Sequence, residues 1–452
     1  MGERTALNDS LANSHMDRST LNVEEGNPVH RRKFLQLAAS AAAAGPLLSA
    51  CGSSSGSSSG GGNGPVTLTI STWSMATTPE FKALFDAFHK AYPNITIKPV
   101  DILAADYSTK VKVMLSGGDS TDIITMKNTT DYGQFAERGQ LRDISSLAAG
   151  STASSLQGLS SFNMNDKYYA LPYRQDFWAL FYNKKLFDAA GKPYPTNMTW
   201  DEYAALAESL TSGSGGSKVY GTYHHTWRSV VQAISAAQTG GDLIGGKYEF
   251  FTDQYNTALG IQDAGATLDY GTATTEKTGY QAMIETGKAA MLPMGTWLIG
   301  TLLADKKSGA TDIDWSMAPM PQRPGAGGIT TFGSPTAFSI NSRAQNVDAA
   351  EKFIEFATGP QGAAIVAGIG IVPALLDDDT RKVYFGLDGM PADSGFQQAF
   401  KPDKVVLEMP VSDKSSQIDT ILTAEHTLVM TKQKSIAGGI AEMDSRVQTE
   451  VE

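Results

Sequence analysis

The chain has 452 residues, a formal net charge of −11 and a single cysteine. That acidic balance excludes a nucleic-acid binder, which needs clustered Lys and Arg against phosphate, and disfavours a basic patch that would hold the body on anionic lipid. One cysteine excludes an internal disulfide, while 41% apolar residues supply enough core for a fold held by packing.

Residues 1–50 have the parts of an export signal. Arg31, Arg32 and Lys33 form a positive region, Phe34 to Ala44 an apolar run too short to span a membrane, and Ser49-Ala50 the small residues of a cleavage site. The arginine pair followed by Phe34, Leu35 and Gln36 resembles a twin-arginine (Tat) leader, with His30 where Ser or Thr is usual. Tat or Sec export stays open, as does Met1 or Met16 as the start. Leu48-Ser49-Ala50-Cys51 resembles a bacterial lipobox, which implies lipidation of Cys51. The Gly/Ser stretch over residues 51–64 buries nothing and reads as a tether with a reach of roughly 20 Å. No later run approaches the roughly 18–20 apolar residues of a membrane span. The expected body is soluble, outside the cytoplasm, and tied to the cell membrane by lipid.

From Pro65 short apolar runs alternate with helical patterns, as in an α/β protein. Val66–Thr72 alternates like a strand, and Phe81, Leu84, Phe85 and Phe88 then share one helix face. Thr77 and Glu80 read as a capping box ahead of that helix, with Pro79 in its first turn. Strands follow at Asn94–Ile102 and Thr121–Met126. Helical spacing returns at Tyr203, Leu206, Ala207 and Leu210 and at Ala350, Phe353, Ile354 and Ala357. No repeat of 20–50 residues is visible.

Five stretches in this order carry a resemblance: "FKALFDAFHKAYPNITIKPV", "SGGDSTDIITM", "YYALPYRQDFWALFYNKKLFDAAGKPYPTNMTWDEYAAL", "TGKAAMLPMGTW" and "NVDAAEKFIEFATGPQG". Residues 65–445 resemble the family 1 extracellular solute-binding proteins, the sugar-capturing subunits of ABC importers. Thr121 departs from the proline usual before Asp-Ile, which should alter a turn. The resemblance implies an α/β, two-lobed periplasmic-binding-protein-like fold of type II, with ligand in the cleft. Lobe 1 would hold residues 65–174 and about 333–375, and lobe 2 about 175–332 and 376–452. The chain would cross near Tyr173–Asp176 and again near Thr330–Gly333. It further implies a monomeric carbohydrate binder that serves an ABC permease, without catalysis, cofactor or nucleic acid.

Enzyme signatures do not compete well. Ser212–Lys218 fails the phosphate-loop spacing, no G-x-S-x-G elbow exists, and His224-His225 has no third metal ligand beside it. Asp201-Glu202 tempts as a glycosidase pair but reads as the end of a Thr199 capping box, and Asp377–Asp379 as a solvated loop or helix start. Binding signatures are stronger, because sugars offer flat C–H faces and many hydroxyls to aromatic and polar groups past strand ends. Trp297, after the strand-like "AAMLPM", leads the candidates, and Trp73 with Ser74 takes the matching place in lobe 1. Tyr173, Arg174 and Asp176 lie at the first crossing, Tyr223, His225 and Trp227 follow "SKVYGTY", and Asp106, Tyr107 and Asn128 end patterns in lobe 1. Gly333 offers backbone at the second crossing. A glycerol phosphate ester is the rival ligand within this class, and a surface glycan-degrading enzyme the rival class.

Overall fold

The computed structural model describes residues 64–451; the expected leader, Cys51 and most of the Gly/Ser tether lie outside them. Nine strands make up the main sheet: β1 (Val66–Trp73), β2 (Ile95–Ile102), β3 (Ile123–Met126), β4 (Leu171–Asn183), β5 (Tyr220–Thr222), β6 (Ala289–Gly295), β7 (Trp315–Ala318), β8 (Thr330–Ile340) and β9 (Lys404–Leu407). They run β2-β1-β3-β8-β4-β6-β5, with β9 paired to β8 and β7 to β4. β1 and β2 are parallel, in register from Val66 opposite Ile95 to Trp73 opposite Ile102. Their connection is helix α1 (Pro79–Ala91), whose Phe81, Leu84, Phe85 and Phe88 are buried. This is the strand–helix–strand unit that joins parallel neighbours.

Two departures from the sequence reading occur nearby. The expected capping box does not form: Thr78 is the N-cap, without a side-chain bond, and Glu80 is buried against Arg174 instead. A guanidinium in a water-poor site competes for the carboxylate more strongly than a cap in solvent does. At Thr121 the backbone N–H donates to Asp119 Oδ1 at 2.7 Å, a bond that proline could not make.

Two strands connect two hydrophobic cores. β4 pairs antiparallel with β8 over Leu171–Phe177, then with β6 and β7 over Trp178–Asn183. β8 runs alongside it from the β9 pairing to the β3 pairing. One core gathers residues between Leu68 and Tyr173 and between Ala337 and Ile371. The other gathers residues between Trp178 and Phe332 with C-terminal ones such as Tyr384, Phe396 and Ile418. The architecture is the two-lobed α/β one that the resemblance implied. Helices α2 (Tyr107–Ser116) and α3 (Trp200–Leu210) flank the sheet, α4 (Trp297–Ser308) follows β6, and α5 (Val347–Thr358) packs on the first core. α6 (Ser415–Met430) and α7 (Ile436–Glu450) pack on the second.

The segment ahead of α6 and that helix's first turn also touch the first lobe, a link the sequence reading did not anticipate. Thr129 Oγ1 donates to the Met409 carbonyl at 3.0 Å and Lys112 Nζ to Ser416 Oγ at 2.6 Å. Gly133 lets that backbone close in, since a Cβ there would fall 2.5 Å from the Ser412 oxygen.

Candidate functional site

Where β4 passes from one lobe to the other, a buried ion network forms. Arg174 is 8% exposed. Its Nη1 lies 2.5 Å from Glu80 on α1, and its Nε lies 3.1 Å from both Asp176 and Thr336 Oγ1. Asp176 in turn accepts from Thr296 Oγ1 at 2.9 Å, at the head of α4. The chain of contacts therefore runs from a lobe 1 helix through the crossing strand to the residue before Trp297. Burial raises the Glu80 and Asp176 carboxyls although Arg174 pulls both down. Arg174 keeps its proton: burial opposes the charge, and Asp176 and Glu80 outweigh it.

Lys127 extends this polar wall. Its Nζ donates to the Ala104 carbonyl at 3.0 Å and sits 5.6 Å from the Trp73 ring. Burial, helped by Arg174 and opposed by Glu408, pushes it down to about 8. Arg228 is held at 2.6 Å by Asp419, and Ser229 donates to Glu408.

On the lobe 2 side an aromatic group assembles on the ends of β5 and β6. Trp297 lies 5.7 Å from Trp178 and 6.2 Å from Trp227, centroid to centroid. His225 packs at 4.4 Å from Trp227 and 5.3 Å from Tyr280. The Trp297 indole N–H donates to Tyr280 Oη at 3.2 Å. Trp227 is 41% exposed, so this wall opens to solvent. Burial pushes His225 down to about 4, which leaves the group uncharged at neutral pH. Thr296, which donates to Asp176, directly precedes Trp297, and this places the aromatic group beside the crossing network.

The sequence candidates divide accordingly. Trp297, His225 and Trp227 come together, and Arg174 and Asp176 join them through Thr296. Four candidates are interior residues. Trp73 is 5% exposed, with Phe81 and Tyr107 rings against it, so it is no open platform. Tyr107 is spent on Ser71 and the Thr125 carbonyl. Tyr173 stacks on Phe338 at 4.6 Å, and Tyr223 donates to the Thr278 carbonyl. Asp106 is exposed at the N-cap of α2, facing Lys110 at 3.7 Å. Asn128 accepts from the Thr130 N–H. Ser74 has the left-handed φ of 41° and accepts from the Ala104 N–H, tying the loop after β1 to the one after β2. At Gly333 a Cβ would fall 2.1 Å from the Asp176 carbonyl oxygen, so the position serves strand contact.

Sequence reasoning missed Tyr280, which lies on a short helix with no strand-end signal, and did not single out Trp178, which is buried inside β4 behind Trp297. Among the described residues no three His, Cys, Asp or Glu side chains are placed to hold a metal ion. Thr199 and Glu202 do make a capping box. A separate open hollow of about 610 Å³ lies by Thr199, Gln322, Arg323 and Lys401. It contains none of the aromatic group, and Gln322 and Arg323 are already bonded to Thr330 and Asp253.

Two cores bridged by crossing strands, with an aromatic wall beside the crossing, define the class of two-lobed solute-binding receptors. The sequence matches the bacterial extracellular solute-binding protein family over residues 73–364, and the chain belongs to that family. No described helix is long and apolar enough to cross a membrane. The crystal structure of a sugar transporter from Rhizobium etli, in an open conformation, is 35% identical. The alignment covers 85% of this chain and 99% of that one, with a TM-score of 0.71. An ABC substrate-binding protein of Listeria monocytogenes, in complex with cycloalternan, shares the fold at 20% identity, 85% and 99% coverage and a TM-score of 0.74. The multiple sugar-binding protein of Streptococcus mutans is 22% identical over 293 residues, 61% of this chain and 67% of that protein.

Proposed function

We propose that this receptor binds a mono- or oligosaccharide between its lobes and delivers it, as a monomer without catalysis, to an ABC permease. The observation that carries the reading is the uncharged group of Trp227, Trp297, Tyr280 and His225 beside the Arg174 network. Such a wall suits the C–H faces of a sugar, and the adjacent polar groups suit its hydroxyls. A phosphate ester is the weaker reading, because Arg174 and Arg228 already face carboxylates and Lys127 Nζ already donates to the Ala104 carbonyl. The sugar-binding names of the relatives point the same way. We take residues 65–174 and about 333–375 as lobe 1, about 175–332 and 376–452 as lobe 2, and Cys51 as the lipid attachment point.

Binding would work by closure: a ligand that touches both lobes makes contacts only in the closed state and shifts the population towards it. Thermal shift against a panel of mono-, di- and oligosaccharides, glycerol phosphate esters included, tests this, since a ligand of the folded state raises the melting temperature. A rise with one sugar class, together with compaction in small-angle scattering, is the expected result. No response to any sugar would overturn the reading.

A further inference from the structure

Behind the aromatic wall, two buried histidines from distant parts of the chain face the same small cavity. His224 is 6% exposed and His426, on α6, is 1% exposed. Both line a cavity of about 10 Å³, with His225, Thr267 and Tyr270. His224 Nδ1 and His426 Nε2 have no hydrogen-bond partner among the described residues, nor does His225 Nδ1.

The neighbouring bonds fix the tautomers. Thr222 Oγ1 donates to the Met291 carbonyl, so it can only accept from Tyr203 Oη. With its proton used there, Tyr203 Oη accepts from His224 Nε2 at 2.9 Å. His224 therefore carries its proton on Nε2 and turns a bare Nδ1 acceptor to the cavity. The Gln232 amide nitrogen donates to Tyr255 Oη at 2.8 Å and to the Leu422 carbonyl, which sets the amide orientation. The Tyr255 hydroxyl then donates to His426 Nδ1 at 3.1 Å. His426 is left with its proton on Nε2, a donor without a partner.

An unsatisfied acceptor on His224 and an unsatisfied donor on His426 thus line a space of one water's size, with the unpartnered Nδ1 of His225 beside them. A buried polar group without a bond costs about 1–3 kcal/mol, and a bridging water relieves both at once. A cation does not fit, because among the described residues no trio of His, Cys, Asp or Glu side chains is placed to ligate one. We infer that a single internal water occupies this cavity, donating to His224 Nδ1 and accepting from His426 Nε2–H. It pins the loop bearing His225 and Trp227 to helix α6. The inference is independent of which ligand the cleft takes.

A crystal structure of the whole protein at high resolution, with ¹⁵N NMR of the histidine rings, tests it. The expected result is one water within about 3 Å of both nitrogens. The NMR should show the Nε2–H form of both rings and magnetisation transfer from His426 Nε2–H to a long-lived water. A dry cavity, a metal ion in it, a direct His224–His426 bond, or the opposite tautomer on either ring would overturn it.

Discussion

Arg174 sits between two buried carboxylates, so removing its charge strands both Glu80 and Asp176. Breaking a buried pair from one side commonly costs about 3–5 kcal/mol, and Arg174→Met should lower the unfolding free energy by about that much. The stranded carboxyls, already raised by burial, would rise further. The native state would then hold protons that the unfolded chain releases above about pH 4, so stability falls as pH rises through that window. Denaturant melts should find the variant weaker at pH 8 than at pH 5, and equal weakness at both would count against this account. Trp297 is the residue-scale test of the wall: Trp297→Ala should weaken sugar binding at least tenfold, about 1.4 kcal/mol, by titration calorimetry. Trp297→Phe should recover part of the loss; unchanged affinity in both would remove Trp297 from the site. The residues of this wall were partly legible in the sequence. Trp297 and Trp227 follow strand ends, where ligands meet α/β folds, but so does Trp73, which the structure spends on Phe81 and Tyr107. Position along a strand is encoded locally, whereas the choice between core and cleft depends on partners distant in sequence.

Among the elements, β4 and β8 matter most, because each carries the chain from one core to the other and the two pair along that length. At Gly333 the two strands approach so closely that a Cβ would overlap the Asp176 carbonyl oxygen. Gly333→Ala should force the ladder apart and cost about 1–3 kcal/mol. A shift in denaturant midpoint with unchanged slope would show it, and a wild-type midpoint would mean the strands yield without cost. α1 was readable from helical spacing, its buried Phe81, Leu84, Phe85 and Phe88 falling on one face, whereas β3, buried at all four positions, was readable only as a short apolar run. The 408–416 link was not. It carries no apolar period, and its contacts with the first lobe run largely through backbone groups at Met409 and Ser412.

The whole molecule should be sensitive to acid in a definable window. Burial pushes His224 and His225 down to about 4 and His426 down to about 3, with Arg228 adding to the last. Between about pH 6.5 and pH 4 the unfolded chain binds protons at these rings that the native state does not, so stability falls as pH falls. Glu80, Asp176 and Glu408 are raised by burial and act in the opposite sense. The clean measurement is therefore a difference. His426→Leu should take up about one proton fewer on unfolding near pH 5 than the wild type, read from the slope of stability against pH. An unchanged slope would mean His426 titrates normally. The proposed anchoring is also a property of the whole chain. A lipidated cysteine followed by a Gly/Ser tether holds a receptor near its permease while both lobes stay free to close, and a single acyl chain alone would hold it only marginally. Replacing Cys51 with Ala should move the full-length protein from the membrane to the soluble fraction while its sugar affinity, measured on the released protein, stays that of wild type. Cys51→Ala protein that still sediments with membranes would show that something other than the lipobox holds it there.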